Sequence, residues 1–563
     1  MVAATTMAQN LLAATCAQTQ SKVPACRRTS STPSLTSLEE KDKGVGKDGK
    51  EKNIYYWDPK SLRIRTINFW HVFLAQYMEM AYYLTIAVVV LVMIWQWSSG
   101  RFDLQGVRAV ANDAIALEAV AIAAMVIAYV FKMKPSVYCV DNVVFVPPKD
   151  WQVSRDDLLQ IMRAQGCFDD GSMEFMGKLL EKSGTGDATH WPPAYLPSRD
   201  GVTKGQKSMA NARQESQTVI FGLVRELLEK THTRAKDIDF VVINCSLFTP
   251  TPSLCAMVCN EFGMRKDVRS YNLGGMGCSA NVISVDLAKQ LLQNEPGARA
   301  LVISTENLTE NLYTGGDKSM LLQNTLFRCG GCALLLSSRR VDSLRAKYKL
   351  LYTGRTQMND QNSYNCVWEQ EDQEGHHGVA LSKDIVSVAG QAMKSNFVQL
   401  GPYVLPIREQ IKTVANRILL SFVHKAKKSQ WPGSDLLTVP RAYTPNFAKG
   451  IDHFCIHAGG RAVIEGVQKN LNLQEHHVQP SKQTLYDWGN TSSSSIWYEA
   501  EWVERFGNLK RGDRMLQIAF GSGFKCNSAV WLALRTDKNK VGQPIKETED
   551  SSECPVQFAD KAL

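Results

Sequence analysis

Two stretches of this chain are apolar without any period, and the remainder alternates strand-length apolar runs with helix-length amphipathic ones. Residues 80–97 (MAYYLTIAVVVLVMIWQW) carry no charge, and residues 114–131 (AIALEAVAIAAMVIAYVF) carry only Glu118. Each is about the length needed to cross the hydrocarbon core of a bilayer. Tyr82, Tyr83, Trp95 and Trp97 stand where interfacial anchors stand. The connection between the runs is short, so the pattern predicts a two-helix transmembrane hairpin, with Glu118 turned to the partner helix or the interface. Lys60, Arg63 and Arg65 precede it and Lys132 and Lys134 follow it. That bias puts both outer flanks in the cytosol, although Arg101 and Arg108 in the connection weaken it. The competing reading is a buried helical pair of a soluble domain, in which such uninterrupted runs are rare.

From Tyr138 onward the pattern is that of a soluble α/β protein. Ile238 to Cys245, Ala300 to Ser304, Cys332 to Leu336 and Met515 to Phe520 are continuous apolar runs, the kind buried on both faces of a sheet. Helices are predicted between them, at Thr218 to Lys230 and Val282 to Gln293. A similar pattern recurs around His453 to Leu471 and Arg514 to Leu534, so two related α/β halves stacked together are expected. The polar stretch Asp360 to Gly378 is placed between or over the halves. The domain reading is a disordered tail at 1–53, a membrane anchor at 54–135, halves at 136–345 and 346–536, and a disordered tail at 537–563. The first tail is rich in Ala, Thr, Ser and Gln, then in Lys, Glu, Asp and Gly. It has no acidic residue before Glu39, but no arginine-rich amphipathic helix either, so a plain tail is preferred to a transit peptide.

Composition narrows the function classes. The chain has 563 residues, 44% hydrophobic, enough for more than one packed layer. The net charge of +9 comes from 64 basic and 55 acidic residues, a modest excess suited to an anionic membrane face or an anionic substrate. There is no arginine-rich recognition helix and no zinc-finger spacing, so nucleic acid is not expected as a partner. Fourteen cysteines show no spacing of a secreted disulfide scaffold. Cys329-Gly-Gly-Cys332 has redox spacing but precedes a strand rather than opening a helix, so a redox role is not favoured.

Three segments carry candidate chemistry. In Asn272-Leu-Gly-Gly-Met-Gly-Cys278-Ser-Ala, glycines let the backbone turn sharply beside a cysteine that opens a helix-like run. A helix starting there would aim free N–H groups and a positive dipole end at the sulfur, which predicts a lowered thiol pKa and a nucleophile. Buried structural cysteine is the competing reading. In Asp452-His-Phe-Cys-Ile-His457-Ala-Gly-Gly-Arg, a strand-like run ends in a histidine before a glycine turn. In Trp488-Gly-Asn490-Thr-Ser-Ser-Ser-Ser-Ile-Trp, an asparagine follows a glycine and a hydroxyl run that could start a helix. Cys, His and Asn distant in sequence can assemble a thiol active site. His453 and His457 could be read as a metal pair, but Phe454 stands where the metalloprotease pattern needs Glu.

Together and in this order, these motifs resemble a plant-type 3-ketoacyl-CoA synthase, the condensing enzyme of very-long-chain fatty acid elongation. The similarity runs from about Ile54 to Leu534. It includes Leu179-Leu-Glu-Lys-Ser-Gly-Thr-Gly-Asp187, Thr325-Leu-Phe-Arg-Cys-Gly-Gly331, Ser382-Lys-Asp384 and Gly521-Ser-Gly-Phe524. The resemblance implies a thiolase-like fold of two βαβαβ-type halves after the transmembrane hairpin. It implies that Cys278 takes the acyl group from an acyl-CoA, and that malonyl-CoA then loses CO2 and attacks the acyl-enzyme. His457 and Asn490 would stabilise the enolate, and His457 would also help form the Cys278 thiolate. The Cys278 N–H, with one from the Gly521–Gly523 loop, would form the oxyanion hole. No metal or redox cofactor is called for. His453 matches a family histidine and, four residues from His457 on a strand, shares its face; it either supports the site or is a satisfied core histidine. A homodimer is implied, as is location in the endoplasmic reticulum membrane with the catalytic domain facing the cytosol. Partners by the same analogy are the ketoacyl reductase, dehydratase and enoyl reductase of an elongase complex.

The chain departs from the family where Gln357 and Tyr486 replace histidines. Either those histidines are dispensable for the chemistry, the reading favoured because Cys278, His457 and Asn490 are intact, or this member is impaired. Alternatives are a polyketide or chalcone-type synthase, a silent scaffold of an elongase complex, and a cysteine hydrolase. Acyl length preference is not encoded in any motif.

Overall fold

The computed structural model describes residues 98–99, 134–196, 205, 207–431, 437–536 and 542. The two long apolar runs at 80–97 and 114–131 lie outside these, as do residues 1–53 and the end of the chain apart from Gly542. Among the described residues no helix is long and apolar enough to cross a membrane.

Nine strands form one mixed sheet: β1 (Tyr138–Val144), β2 (Phe240–Asn244), β3 (Arg269–Leu273), β4 (Arg299–Thr305), β5 (Gly331–Ser337), β6 (Tyr348–Gln357), β7 (His453–Ile456), β8 (Arg514–Gly521) and β9 (Lys525–Ala533). Their order is β7-β8-β9-β6-β1-β5-β4-β2-β3. Apart from the edge strand β3, which pairs parallel with β2 and has no counterpart, the order mirrors itself about the β6–β1 contact. On one side β2 runs parallel to β4, β4 antiparallel to β5 and β5 antiparallel to β1. On the other, β7 is parallel to β8, β8 antiparallel to β9 and β9 antiparallel to β6. The two sets meet only where Tyr138 faces Lys349 and Cys139 faces Tyr348. At this seam the buried Lys347 ammonium bonds Asp141 at 2.9 Å and Glu504 at 2.8 Å, which ties both strand sets to one helix.

Alternation along the strands decides the layers. In β2, Val241 and Ile243 enter one core and Phe240 and Val242 another; Leu301 and Ile303 separate from Ala300 and Val302 in the same way in β4. The helix α1 (Met209–Thr231) covers the outer face of the first set, through Val219, Ile220, Leu223 and Leu227. Between the sets lie α2 (Ala280–Asn294) and, later in the chain, Ser495–Phe506, which share a core with inward residues of both strand sets. The Trp497 indole donates to Asn281 Oδ1 at 2.8 Å across these two central helices. The helix α3 (Lys318–Leu326) belongs to the first half; α4 (Ile385–Val404), α5 (Ile407–Lys428), α6 (Arg461–Leu471), α7 (Glu475–Trp488) and the central α8 (Ser495–Phe506) follow. α4, α6 and α7 cover the outer face of the second set.

The strands and helices predicted from Tyr138 onward appear, while the two predicted transmembrane helices lie outside the described residues. The α1 helix starts at Met209, well before Thr218, because Ser208 accepts the Asn211 N–H as an N-cap. The polar stretch after β6 forms a hairpin, Val367–Glu371 with His377–Leu381, that leaves the second half and lies over the first. There the Val379 N–H donates to Gln323 on α3, and the Tyr313 hydroxyl donates to Asp372.

Candidate active site

The loop after β3 turns through two glycines in the left-handed region, Gly275 (φ 65°) and Gly277 (φ 63°), into a 3-10 turn at Gly277–Ser279 that runs on into α2. Cys278 thus opens a central helix. A Cβ on Gly277 would stand 2.6 Å from the Ser522 backbone nitrogen, and one on Gly521 would stand 2.5 Å from the Met276 carbonyl oxygen. The cysteine turn and the Gly521–Gly523 turn therefore pack backbone against backbone. Asn527 Nδ2 donates to Ser279 Oγ at 3.0 Å and Ser522 Oγ donates to the Gly275 carbonyl at 3.3 Å, which binds them together. Gly277→Ala should suffer both the left-handed strain, about 1–3 kcal/mol, and the steric contact. The expected outcome is a lower thermal midpoint together with loss of Cys278 acylation, read by melting and by mass spectrometry of the acyl-enzyme.

His457 follows β7, and its N–H extends the ladder by donating to the Ile518 carbonyl at 2.9 Å. Its imidazole is buried, with Nδ1 2.7 Å from Ser495 Oγ. A Cβ on Gly459 would meet Nε2 at 2.9 Å, so a glycine two residues on is what leaves room for the ring. The Ser495 hydroxyl also lies 3.1 Å from the Ser492 carbonyl. Holding a single proton, it can donate to the carbonyl or to Nδ1, not both, and so allows either imidazole tautomer.

Asn490 is held by a bridge to the chain after α3: its N–H donates to the Leu326 carbonyl at 3.1 Å and its carbonyl accepts from Arg328 at 2.9 Å. Its Oδ1 accepts the Ser492 N–H at 2.9 Å, which points the amide NH2 the other way, with the Gly459 carbonyl 3.4 Å from Nδ2. Ser492 joins all three segments. Its backbone is in the left-handed region (φ 57°), its Oγ lies 3.5 Å from Cys278 Sγ, and it stands 3.2 Å from Glu306 Oε2. Glu306, just past the end of β4, accepts the Ser246 and Leu247 N–H groups at 3.0 and 2.8 Å through Oε1. Burial pushes its carboxyl up, against the pull of those N–H groups.

The structure therefore brings Cys278, His457 and Asn490 onto one hydrogen-bonded segment, 490–495, with the Gly521–Gly523 turn beside the cysteine. Sequence reasoning passed over Ser492, Ser495 and Glu306. The available signal was an acidic residue at the carboxyl end of an apolar strand, where ligands of α/β sheets gather. The hydroxyl run does start a helix, as expected, through a 3-10 turn into α8.

Two expectations are corrected. The Cys278 thiol is not lowered; burial pushes it up to about 12, with the Glu306 carboxyl adding to the rise. A helix N-terminus contributes at most ~2 kcal/mol, about 1.5 pKa units, so desolvation wins. Burial also pushes His457 down to about 4. Near neutral pH the pair is a neutral thiol and a neutral imidazole. Secondly, His453 does not join the site. It begins β7 while His457 follows its end, about 13 Å away at the usual strand rise, and its Nε2 is 3.0 Å from Asp513. The two histidines share a face but cannot share a metal ion. Cys329 and Cys332 are both buried free thiols, the first donating to Glu215 at 3.6 Å.

The two replaced family histidines stand apart from this network. Gln357 is exposed at the end of β6, paired with Lys525. The Tyr486 side chain is 54% exposed on α7, and its carbonyl accepts the Gly186 N–H.

Comparison with known proteins agrees with this architecture. A family profile described as FAE1/Type III polyketide synthase-like protein matches residues 128–423, and one described as 3-Oxoacyl-[acyl-carrier-protein (ACP)] synthase III C terminal matches 447–532. The curated 3-ketoacyl-CoA synthase 9 of Arabidopsis thaliana is 46% identical over 431 residues, 76% of this chain and 81% of that protein. 3-ketoacyl-CoA synthase 6 of the same plant is 44% identical over 458 residues, 81% and 86% of the two chains. Among solved structures, a type III pentaketide synthase from Neurospora crassa matches with a TM-score of 0.51 at 17% identity, over 70% of this chain and 99% of that one. The C-terminal type III polyketide synthase domain of Steely1 from Dictyostelium matches with 0.53 at 18% identity, over 71% and 99%. At such identity the structural matches speak for the fold alone, which is the thiolase-like α/β fold.

Proposed function

Because the chain belongs to the 3-ketoacyl-CoA synthase family, we propose that its condensation runs through Cys278, His457 and Asn490, on very-long-chain as well as long-chain acyl-CoA. The enzyme is a condensing acyltransferase of fatty acid elongation. The observation that carries the residue assignment is the hydrogen-bonded segment 490–495, which links all three groups.

In the first half-reaction Cys278 Sγ attacks the acyl-CoA thioester carbon. With the Ser495 proton on the Ser492 carbonyl, His457 carries its own proton on Nδ1 and offers an Nε2 lone pair. Nε2 takes the thiol proton as the S–C bond forms and returns it to the departing CoA sulfur. Thiol and imidazole start neutral, so no buried charge pair need exist before substrate arrives. In the second half-reaction malonyl-CoA loses CO2, and negative charge develops on its thioester oxygen. With the Ser495 proton turned to Nδ1, Nε2–H and the Asn490 amide donate to that oxygen. The enolate carbon attacks the acyl-Cys278 carbonyl, whose oxygen is met by the Cys278 N–H and an N–H of the Gly521–Gly523 turn. Collapse expels the cysteine sulfur, which takes up one proton. The sum is acyl-CoA, malonyl-CoA and a proton to 3-oxoacyl-CoA two carbons longer, CO2 and CoA.

The proposed setting is the endoplasmic reticulum membrane, with the catalytic domain facing the cytosol, as a homodimer beside the reductases and dehydratase of elongation. Its support is the pair of apolar runs at 80–97 and 114–131 and the substrate itself, since each acyl methylene favours the bilayer by about 0.8 kcal/mol.

The test uses microsomes of a host with low elongase background, labelled malonyl-CoA and a panel of acyl-CoAs. Labelled 3-oxoacyl-CoA with release of CO2 is expected; a protein present in the membrane that releases none would move the scaffold reading to the front. In the same assay Gln357→His and Tyr486→His should stay within about twofold of wild type, because surface positions outside the network rarely matter. A tenfold gain from either would show that a family histidine contributes to turnover.

A further inference from the structure

The α5 helix buries little of its apolar surface. Val423 and Ala426 face inward near its end, but along its first three turns the protein-facing side is polar. Glu409 is 1% exposed and accepts from the Tyr443 hydroxyl and from Lys449 Nζ, the latter at 2.7 Å. One turn on, the Thr413 hydroxyl caps back onto the Glu409 carbonyl. Asn416 Oδ1 accepts the Tyr443 N–H at 2.8 Å, while its Nδ2 donates to the Arg441 carbonyl. Its outer side is apolar. Ile407, Ile411, Val414, Ile418 and Phe422 are 52, 62, 47, 65 and 50% exposed. Their spacings of four, three, four and four put them within about 80° of arc at 100° per residue, as a stripe about 22 Å long. Trp431 stands beyond the end of the helix, edge-on to Phe422 with ring centroids 6.0 Å apart. Singly exposed apolar residues are ordinary; a continuous row opposite a polar, hydrogen-bonded face is not.

The charge pattern selects the occupant. Arg408, Lys412, Arg417, Lys425, Lys427 and Lys428 lie on this helix, against the single acidic residue Glu409. Glu409 is turned inward and held well below the usual carboxylate range by Lys449 and Tyr443. Arg408 and Lys412 flank the stripe on one side, Arg417 and Lys428 on the other, and the three lysines of the last turn close its end. An apolar face rimmed by cations fits a layer whose interior is hydrocarbon and whose surface carries phosphates. A second copy of this chain would bring the same cations against each other.

We propose that the outer face of α5 lies in the interface of an anionic phospholipid bilayer, as a second membrane contact of the catalytic domain besides the N-terminal apolar runs. It rests on the membrane reading of those runs only in that they bring the domain to a bilayer. The contact would hold the condensing domain at one fixed tilt against the surface that dissolves its substrates.

The test uses the full chain reconstituted in vesicles of phosphatidylcholine and phosphatidylserine at about 7:3. Ile418 is replaced by the photoreactive p-benzoylphenylalanine, with the same reporter at Glu374, on the exposed hairpin turn, as reference. On irradiation, mass spectrometry should find phospholipid adducts at 418 at least fivefold above those at 374. Ile411→Glu, which places a carboxylate in the stripe, should lower the adduct at 418 severalfold. A cross-link from 418 to a second copy or to residues 54–133 of the same chain would overturn the proposal. So would equal, low lipid labelling at both positions. Alkaline carbonate extraction of the same vesicles reads the anchor separately. Release of the wild type would defeat the transmembrane reading while the adduct at 418 still decided the helix. Retention of Ile411→Glu in the pellet, with its adduct lost, would separate the two contacts.

Discussion

Cys278→Ala is expected to abolish 3-oxoacyl-CoA formation, with a loss on the order of 10⁴-fold or more, as when the nucleophile is taken from a unit whose members act together. The fold should be untouched. The sulfur is approached by Ser492 Oγ at 3.5 Å, but the turn that carries it is held by Gly277, Ser279 and the Gly521–Gly523 backbone instead. Thermal melting within a degree or two of wild type, with no labelled product and no acyl adduct on the protein, is the expected pair of results. Residual condensation above about a hundredth of wild type would mean that the acyl group is not held on this sulfur, and the assignment of the first half-reaction would fall. Because Asn490 and His457 remain, the variant can still be asked whether it releases CO2 from malonyl-CoA, which tests the second half-reaction by itself.

The second large effect concerns the resting thiol. Burial holds Cys278 near 12 rather than 9, so its charged form is the one disfavoured and thiolate appears only as pH rises. At pH 7 its thiolate fraction is about a thousandfold below that of a free thiol, and it climbs tenfold per pH unit. Alkylation of Cys278 by iodoacetamide, followed by peptide mass spectrometry, should be slow at neutral pH and still rising without a plateau at pH 10. A plateau near pH 7 would restore the expectation of a sulfur activated by its helix. Enzymatic acylation should not follow this slope. The reactive form is neutral thiol with neutral imidazole, and with His457 near 4 and Cys278 near 12 that form dominates from about pH 5 to beyond pH 9. A flat acylation profile beside a steep alkylation profile is the signature of a proton removed during attack rather than before it.

Much of this site was legible along the chain. Glycine clusters mark where backbone must come close, and they flank Cys278, His457 and Asn490 in turn; Gly277, Gly459 and Gly489 each face an atom that a Cβ would meet within 3 Å. Continuous apolar runs located the buried strands for the same kind of local reason, since a strand covered on both faces has no polar position to offer. What stayed hidden depends on distances between residues far apart in sequence. Ser492 lies 214 positions from the cysteine it approaches, and nothing in a run of serines says which one turns its hydroxyl to the sulfur, to the imidazole or to Glu306. The sign of the thiol shift was misread because the dipole of a helix can be inferred from its start, whereas desolvation depends on what the rest of the fold packs around the sulfur. His453 illustrates the same limit: period two gives a shared face, not a shared place along it.

The sequence by itself determined the reactive groups and the strands and helices that carry them, because composition and period are local properties. Only the tertiary structure decided that the strand sets mirror each other about a short seam, that one serine-rich segment binds three distant motifs into a site, and that the α5 stripe faces outward. A hydrophobic period of 3.6 says that a helix has an apolar side; which way that side points is settled by what the other side finds to bond with, here Tyr443, Lys449 and the Arg441 carbonyl.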